Sequence, residues 1–104
     1  MPQIIVKGLP QETVCAMSKL LLNDLAKINE TPADYFLFQC DTNPIFIDGK
    51  PDAGYPLVEI KQFQRDKAME EATAKLIIQY IKSLGYTEAE VYYIHLSEAA
   101  YYLG

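Results

Sequence analysis

A chain of 104 residues, half of them hydrophobic and 22% charged, has room for one domain with one core and none for a second. The composition is globular rather than disordered, collagenous or membrane-embedded, and a formal net charge of −5 repels phosphate backbones and anionic lipid surfaces, so neither nucleic acid nor a membrane is an expected partner. Apolar runs such as residues 20–22 and 76–78 fall far short of bilayer length and no basic-then-apolar leader is visible, which makes the cytoplasm the expected location.

In chain order, residues 2–7 are β-branched and apolar and end at Gly8, Leu9 and Pro10, which predicts a first strand. From 11 to 28, Val14, Met17, Leu21, Leu25 and Ile28 recur at three- and four-residue intervals, the spacing of one amphipathic helix stopped by Asn29 and Thr31-Pro32. Residues 35–40 read as a second strand. After a connector at 42–55, rich in Asn, Pro, Asp and Gly around a short Ile45-Phe46-Ile47 run, a surface excursion with one small strand is expected, serving as a plain connector, a lid or a subunit contact. Residues 56–61 then supply a strand and 66–84 a helix with Met69, Ala72, Leu76, Tyr80 and Leu84 as its stripe. Gly85 is the natural residue past its end, and residues 91–96 form the last long strand.

These elements make two β-α-β halves, 2–41 and 56–97, within a single 1–104 domain. Pro2 matches Pro56 and Lys7 matches Lys61; after a two-residue gap Thr31 matches Thr87 and Ala33 matches Ala89. The fold class expected is α+β, a four-stranded sheet with two helices on one face and short extra strands. Two right-handed units side by side place both helices on the same sheet face. Because the strands are apolar on both sides, the other face needs a cover, and another copy of the chain is the economical one.

Cys15 and Cys40 match no disulfide framework and are expected to be free, buried thiols. With one histidine, His95, and no clustered ligand spacing, neither a metal site nor a cofactor is expected. His95 itself reads as a packed, hydrogen-bonded residue rather than a proton shuttle.

A chain opening Met1-Pro2 directly into a strand, followed by two β-α-β halves, resembles the tautomerase superfamily that includes macrophage migration inhibitory factor. The stretch from Tyr55 to Ile60, with Phe63, Arg65 and the closing residues 100–104, is similar to an uncharacterised bacterial branch of it. The resemblance implies a homotrimer with sites at subunit boundaries. It also implies a role for Pro2: once Met1 is removed, its secondary amine shuttles a proton on a small enolisable carbonyl acid. In this sequence Pro2 is therefore either a catalytic base or the relic of one.

Such a base gains from a lowered pKa, obtained by desolvation and neighbouring cations. Apolar strands and Phe63 are candidates for the first; Lys7, Lys61 and Arg65 for the second, while also holding a substrate carboxylate. Arg65 is preferred for its planar fork, against the alternative of an ion pair with Asp66 or Glu70. Glu59, a carboxylate in an apolar strand, either positions substrate water or pairs with Lys61 or Arg65. Tyr101 and Tyr102 are pocket walls or interface packing. Two functions follow: a tautomerase acting on a carboxylate-bearing ligand, or a non-catalytic oligomeric binding module that keeps the fold.

Overall fold

The computed structural model describes residues 2–104. The chain forms β1 (Gln3–Lys7), α1 (Gln11–Leu20), α2 (Leu22–Asn29), β2 (Leu37–Asp41), β3 (Ile45–Ile47), β4 (Lys50–Asp52), β5 (Leu57–Phe63), α3 (Lys67–Ser83) and β6 (Glu90–Leu96), with 3₁₀ turns at Ala33–Tyr35 and Glu98–Ala100. The main sheet runs β2-β1-β5-β6. Its outer pairs, β1–β2 and β5–β6, are parallel, and the central pair β1–β5 is antiparallel. This is the α+β arrangement of two β-α-β halves.

The central register shows how the halves are related. Gln3 faces Lys61, Ile5 faces Glu59 and Lys7 faces Leu57. A shift of 54 residues, the offset that brings Pro2 onto Pro56, takes Ile5 onto Glu59. The pseudo-two-fold between the halves therefore passes through the Ile5–Glu59 pair, with Lys7 and Lys61 as mates on either side of it.

Alternation along each strand assigns the faces. Ile4, Val6, Val58 and Ile60 point to the helices and join Val14, Met17, Leu21, Leu25, Ile77 and Ile81 in one core. Each such fully buried aliphatic side chain contributes roughly 1.5–3 kcal/mol. A polar bond crosses the helix layer: the Asn29 amide donates to Thr73 Oγ1 and to the Leu25 carbonyl, both at 2.9 Å.

The first crossover is not one unbroken helix. It is interrupted at Leu21 (φ −91°, ψ −9°), although the Leu21 N–H to Met17 carbonyl and Leu25 N–H to Leu21 carbonyl bonds run through the break. The stripe of α3 is set one position later than its sequence suggests: Thr73, Ile77 and Ile81 are buried, while Leu84 is exposed. Thr73 is drawn inward by its bond to Asn29, which hydropathy does not report. Residues 35 and 36 precede β2 rather than opening it, because Ala33–Tyr35 closes a 3₁₀ turn.

The connector holds two strands, not one. β3 and β4 form an antiparallel hairpin through Asp48 (φ 51°) and Gly49 (φ 72°), the two positive dihedrals of a type I′ turn. Both cysteines are free, but Cys15 is exposed and Cys40 half-buried. Cys15 follows Val14 on a helix whose inward positions are Val14 and Met17, so it faces away from the sheet. No helix among the described residues is long and apolar enough to cross a membrane.

Candidate functional site

The sheet face away from the helices carries Ile5, Leu37, Leu57, Ile94 and Leu96, but its centre is polar rather than apolar. Glu59, 9% exposed, sits on the pseudo-two-fold beneath the two lysines. Tyr92, its register partner on β6, donates its hydroxyl to Glu59 Oε1 at 2.7 Å and accepts from Lys7 Nζ at 3.2 Å. Lys61 Nζ lies 3.5 Å from Glu59 Oε2, and Lys7 Nζ 3.9 Å from Oε1. The Tyr92 hydrogen bond, helped by Lys61 and Lys7, outweighs burial and holds the Glu59 carboxyl below its ordinary range. The hydrogen bond that Lys7 donates to the Tyr92 hydroxyl, against some desolvation, raises the Lys7 ammonium above its ordinary range. A carboxylate is tolerated on this face because it is fully partnered.

Pro2 lies at the head of β1 and is fully buried, and its carbonyl accepts the Leu37 N–H at 3.1 Å. By the alternation of β1 its ring falls on the helix side. Phe63, at the same end of the sheet, points to the open side and meets the Tyr101 ring edge-on, centroids 5.1 Å apart. Tyr102 reaches into solvent, 89% exposed.

Arg65 follows β5 and turns toward α2, donating from Nη1 to the Asn29 carbonyl at 3.0 Å. That carbonyl, which also accepts the Thr31 hydroxyl at 2.9 Å, lies at the C-terminus of α2, where a cation is favoured. Arg65 pairs by its side chain with neither Asp66 nor Glu59 among the described contacts; its backbone N–H is what meets Glu70. The structure thus brings Glu59 and Lys61 together and Phe63 and Tyr101 together. It leaves Pro2 and Arg65 on the helix side of the same sheet end, and Tyr102 apart from both groups.

Sequence reasoning passed over Tyr92 and named Glu70 solely as a candidate ion-pair partner of the Arg65 side chain. Tyr92 was legible in principle from alternation on β6, once β6 is paired with β5 in the register that sets Tyr92 beside Glu59. The further partners of Glu70, Gln62 on β5 and His95 on β6, carried no local signal, because they are set by the packing of α3 on the sheet.

The larger cavities are elsewhere. One of about 430 Å³ opens at the other end of the sheet, among Gly8 to Gln11, Asp41 to Ile45, Asp52 to Gly54 and Tyr86. Another of about 260 Å³ lies against α3 and β6, lined by Lys67, Glu70, Glu71, Ala74, Val91 and Tyr93. Among the described residues no cluster of three or more His, Cys, Asp or Glu side chains is placed to hold a metal ion.

Comparison with known proteins places this geometry. The crystal structure of a domain of unknown function (DUF1904) from Sebaldella termitidis ATCC 33386 superposes with a TM-score of 0.92 at 32% identity, over 99% of this chain and 95% of that one. A macrophage migration inhibitory factor homologue from Prochlorococcus marinus shares the fold at 16% identity and a TM-score of 0.67, over 99% and 94% of the two chains. A fused 4-OT wild-type asymmetric trimer does so at 14% identity and a TM-score of 0.76, over 99% and 91%. A search of curated proteins finds no match. The family described as domain of unknown function (DUF1904) matches residues 1–104, and the chain, with its tautomerase-like fold, belongs to that family.

Proposed function

We propose that this chain is a self-associating, cytoplasmic protein that moves a proton on a small enolisable carbonyl acid, with Pro2 as the base once Met1 has been removed. The observation that carries the reading is the complete burial of Pro2 at the head of a central strand. A free α-amine, ordinarily titrating at about 7.7–8.0, is driven toward its neutral form by such desolvation. The neutral nitrogen takes a proton from the substrate carbon, becomes the ammonium, and returns that proton to the enolate oxygen. Arg65, on the same side of the sheet as Pro2, is the cation for the substrate carboxylate; Lys61, ordered by Glu59, and Phe63 with Tyr101 lie on the open face and complete the site of an adjoining copy, toward which Tyr102 also reaches.

Self-association is supported by the open sheet face and by fold relatives that include a trimer, so we assign a homotrimer. Sedimentation at three times 11.8 kDa is expected, and a monomer would refute it.

One observation favours a second reading, an oligomeric binding module without catalysis. Arg65 and Lys61 already have partners, in the Asn29 carbonyl and Glu59. The test is intact-mass measurement on protein from its native cells, followed by an enol–keto assay on phenylpyruvate. Removal of Met1 with at least about 10²-fold loss of rate in Pro2→Ala is expected of the base. Met1 retained throughout, or an unchanged rate in Pro2→Ala, ends the catalytic reading. Binding without turnover then supports the module.

A further inference from the structure

Glu70 ties together more of the sheet end than any residue that sequence reasoning singled out. Its carboxylate accepts from the Arg65 backbone N–H at 3.2 Å and from the Gln62 amide at 3.1 Å. His95 Nε2 stands 2.9 and 3.0 Å from its two oxygens. Its backbone carbonyl accepts the Tyr93 hydroxyl at 2.9 Å, and the Tyr93 ring stacks on His95 with centroids 5.8 Å apart. One residue in the first turn of α3 therefore fastens β5, β6 and the loop between β5 and α3.

That loop carries Arg65. With Nη1 spent on Asn29, the remaining edge of the guanidinium, Nε with Nη2, is the side-on fork that matches a carboxylate. An arginine on a slack loop would surrender much of its binding energy in being ordered; one whose backbone is already held surrenders little.

We propose that Glu70 and His95 are positioning residues for Arg65. They fix the loop so that the remaining guanidinium edge, which has no partner among the described residues, is presented to a small carboxylate at the Pro2 end of the sheet. This rests on the reading of Arg65 as a carboxylate ligand, though not on Pro2 catalysis. The arrangement is a clamp in which an Nε2–H donor toward Glu70 exists in protonated histidine and in one neutral tautomer. Lys67 and Glu71, which share the cavity beside α3 with Glu70, and Tyr93 are the other titratable groups at the clamp.

The test uses the full chain with phenylpyruvate as probe, reading amide hydrogen exchange and binding by calorimetry in His95→Ala, His95→Gln and Glu70→Gln. In His95→Ala and Glu70→Gln the Arg65 amide should exchange at least about tenfold faster and phenylpyruvate should bind at least about tenfold more weakly, with the amides of β1 unchanged. His95→Gln, which keeps a donor toward Glu70, should restore both, and Arg65→Ala should abolish binding in the otherwise native chain. An Arg65 amide unmoved in both variants overturns the proposal, as does a loosened loop with unaltered binding, or wild-type protein that does not bind the probe. Wild-type binding through Arg65 without any tautomerisation sinks the Pro2 reading and leaves the clamp standing.

Discussion

Alanine at Gly8 is the most severe single-methyl perturbation the structure offers. A Cβ at that position would stand 2.1 Å from the Tyr55 carbonyl oxygen and 3.2 Å from the Pro56 nitrogen, both backbone atoms that cannot swing aside, at a φ of +80°. The left-handed backbone costs an L-residue roughly 1–2 kcal/mol. Displacing β5's entry by about 1 Å against a packed core adds roughly 1–3 kcal/mol more. Together, about 2–5 kcal/mol should appear as a fall in Tm of at least about 8 °C, since about 4–8 °C accompanies each kcal/mol in a domain near this size. The control is Gly49→Ala, which shares the positive dihedral (+72°) but meets nothing within 4 Å; it should bear the strain alone, a Tm loss of about 4–16 °C that stays smaller than that of Gly8→Ala. Thermal melts by circular dichroism at one fixed protein concentration suffice. Equal losses in the two variants would mean that the dihedral alone governs, and would refute the close approach of β1's end to Tyr55.

Three further outcomes are expected. Glu59 has a folded-state pKa below its ordinary 4.5, chiefly through the Tyr92 bond; its contribution is therefore present above that value and lost as pH falls through the folded one. Stability of wild type and Glu59→Gln, compared by urea melts, should differ at neutral pH and converge in acid; divergence on acidification would contradict the sign. Thr73→Val removes a buried acceptor from the Asn29 amide and should cost about 1–3 kcal/mol, largely recovered in Asn29→Leu/Thr73→Val; no recovery would show that the bond is not the reason Thr73 faces inward. Burial, and then the Glu70 charge, push the Tyr93 phenol up to about 12, so the highest-pH step in an ultraviolet tyrosine titration should vanish in Tyr93→Phe. Stability should decline as pH climbs past the ordinary 10.0, because the folded state prefers the neutral phenol.

The four main strands and the helical crossovers were legible because their signals are local: β-branched runs ended by Gly and Pro, and apolar residues at helical spacing. What escaped was decided by partners distant in the chain. β4, with Pro51 at its centre, has no strand propensity of its own and exists through pairing with β3. Thr73 turns inward for Asn29, 44 residues away. Glu59 was recognised as a carboxylate needing partners and Lys61 was named as one, but Tyr92 became visible only with the β5–β6 register. Arg65 was read as a fork facing a ligand or an acid. The helix end it caps is invisible until α2 is seen to stop beside it.

The axis through Ile5 and Glu59 makes the two ends of the sheet equivalent in shape but not in chemistry. Pro56, buried like Pro2, occupies the mate's position, yet its nitrogen is an acylated link within the polypeptide and has no basic lone pair. Joining two ancestral units into one ribbon would therefore silence one of every two amino ends. A proline-amine reaction on this scaffold has half as many seats as the architecture has corners, leaving the second half of the chain free to change its residues without any proton-transfer duty.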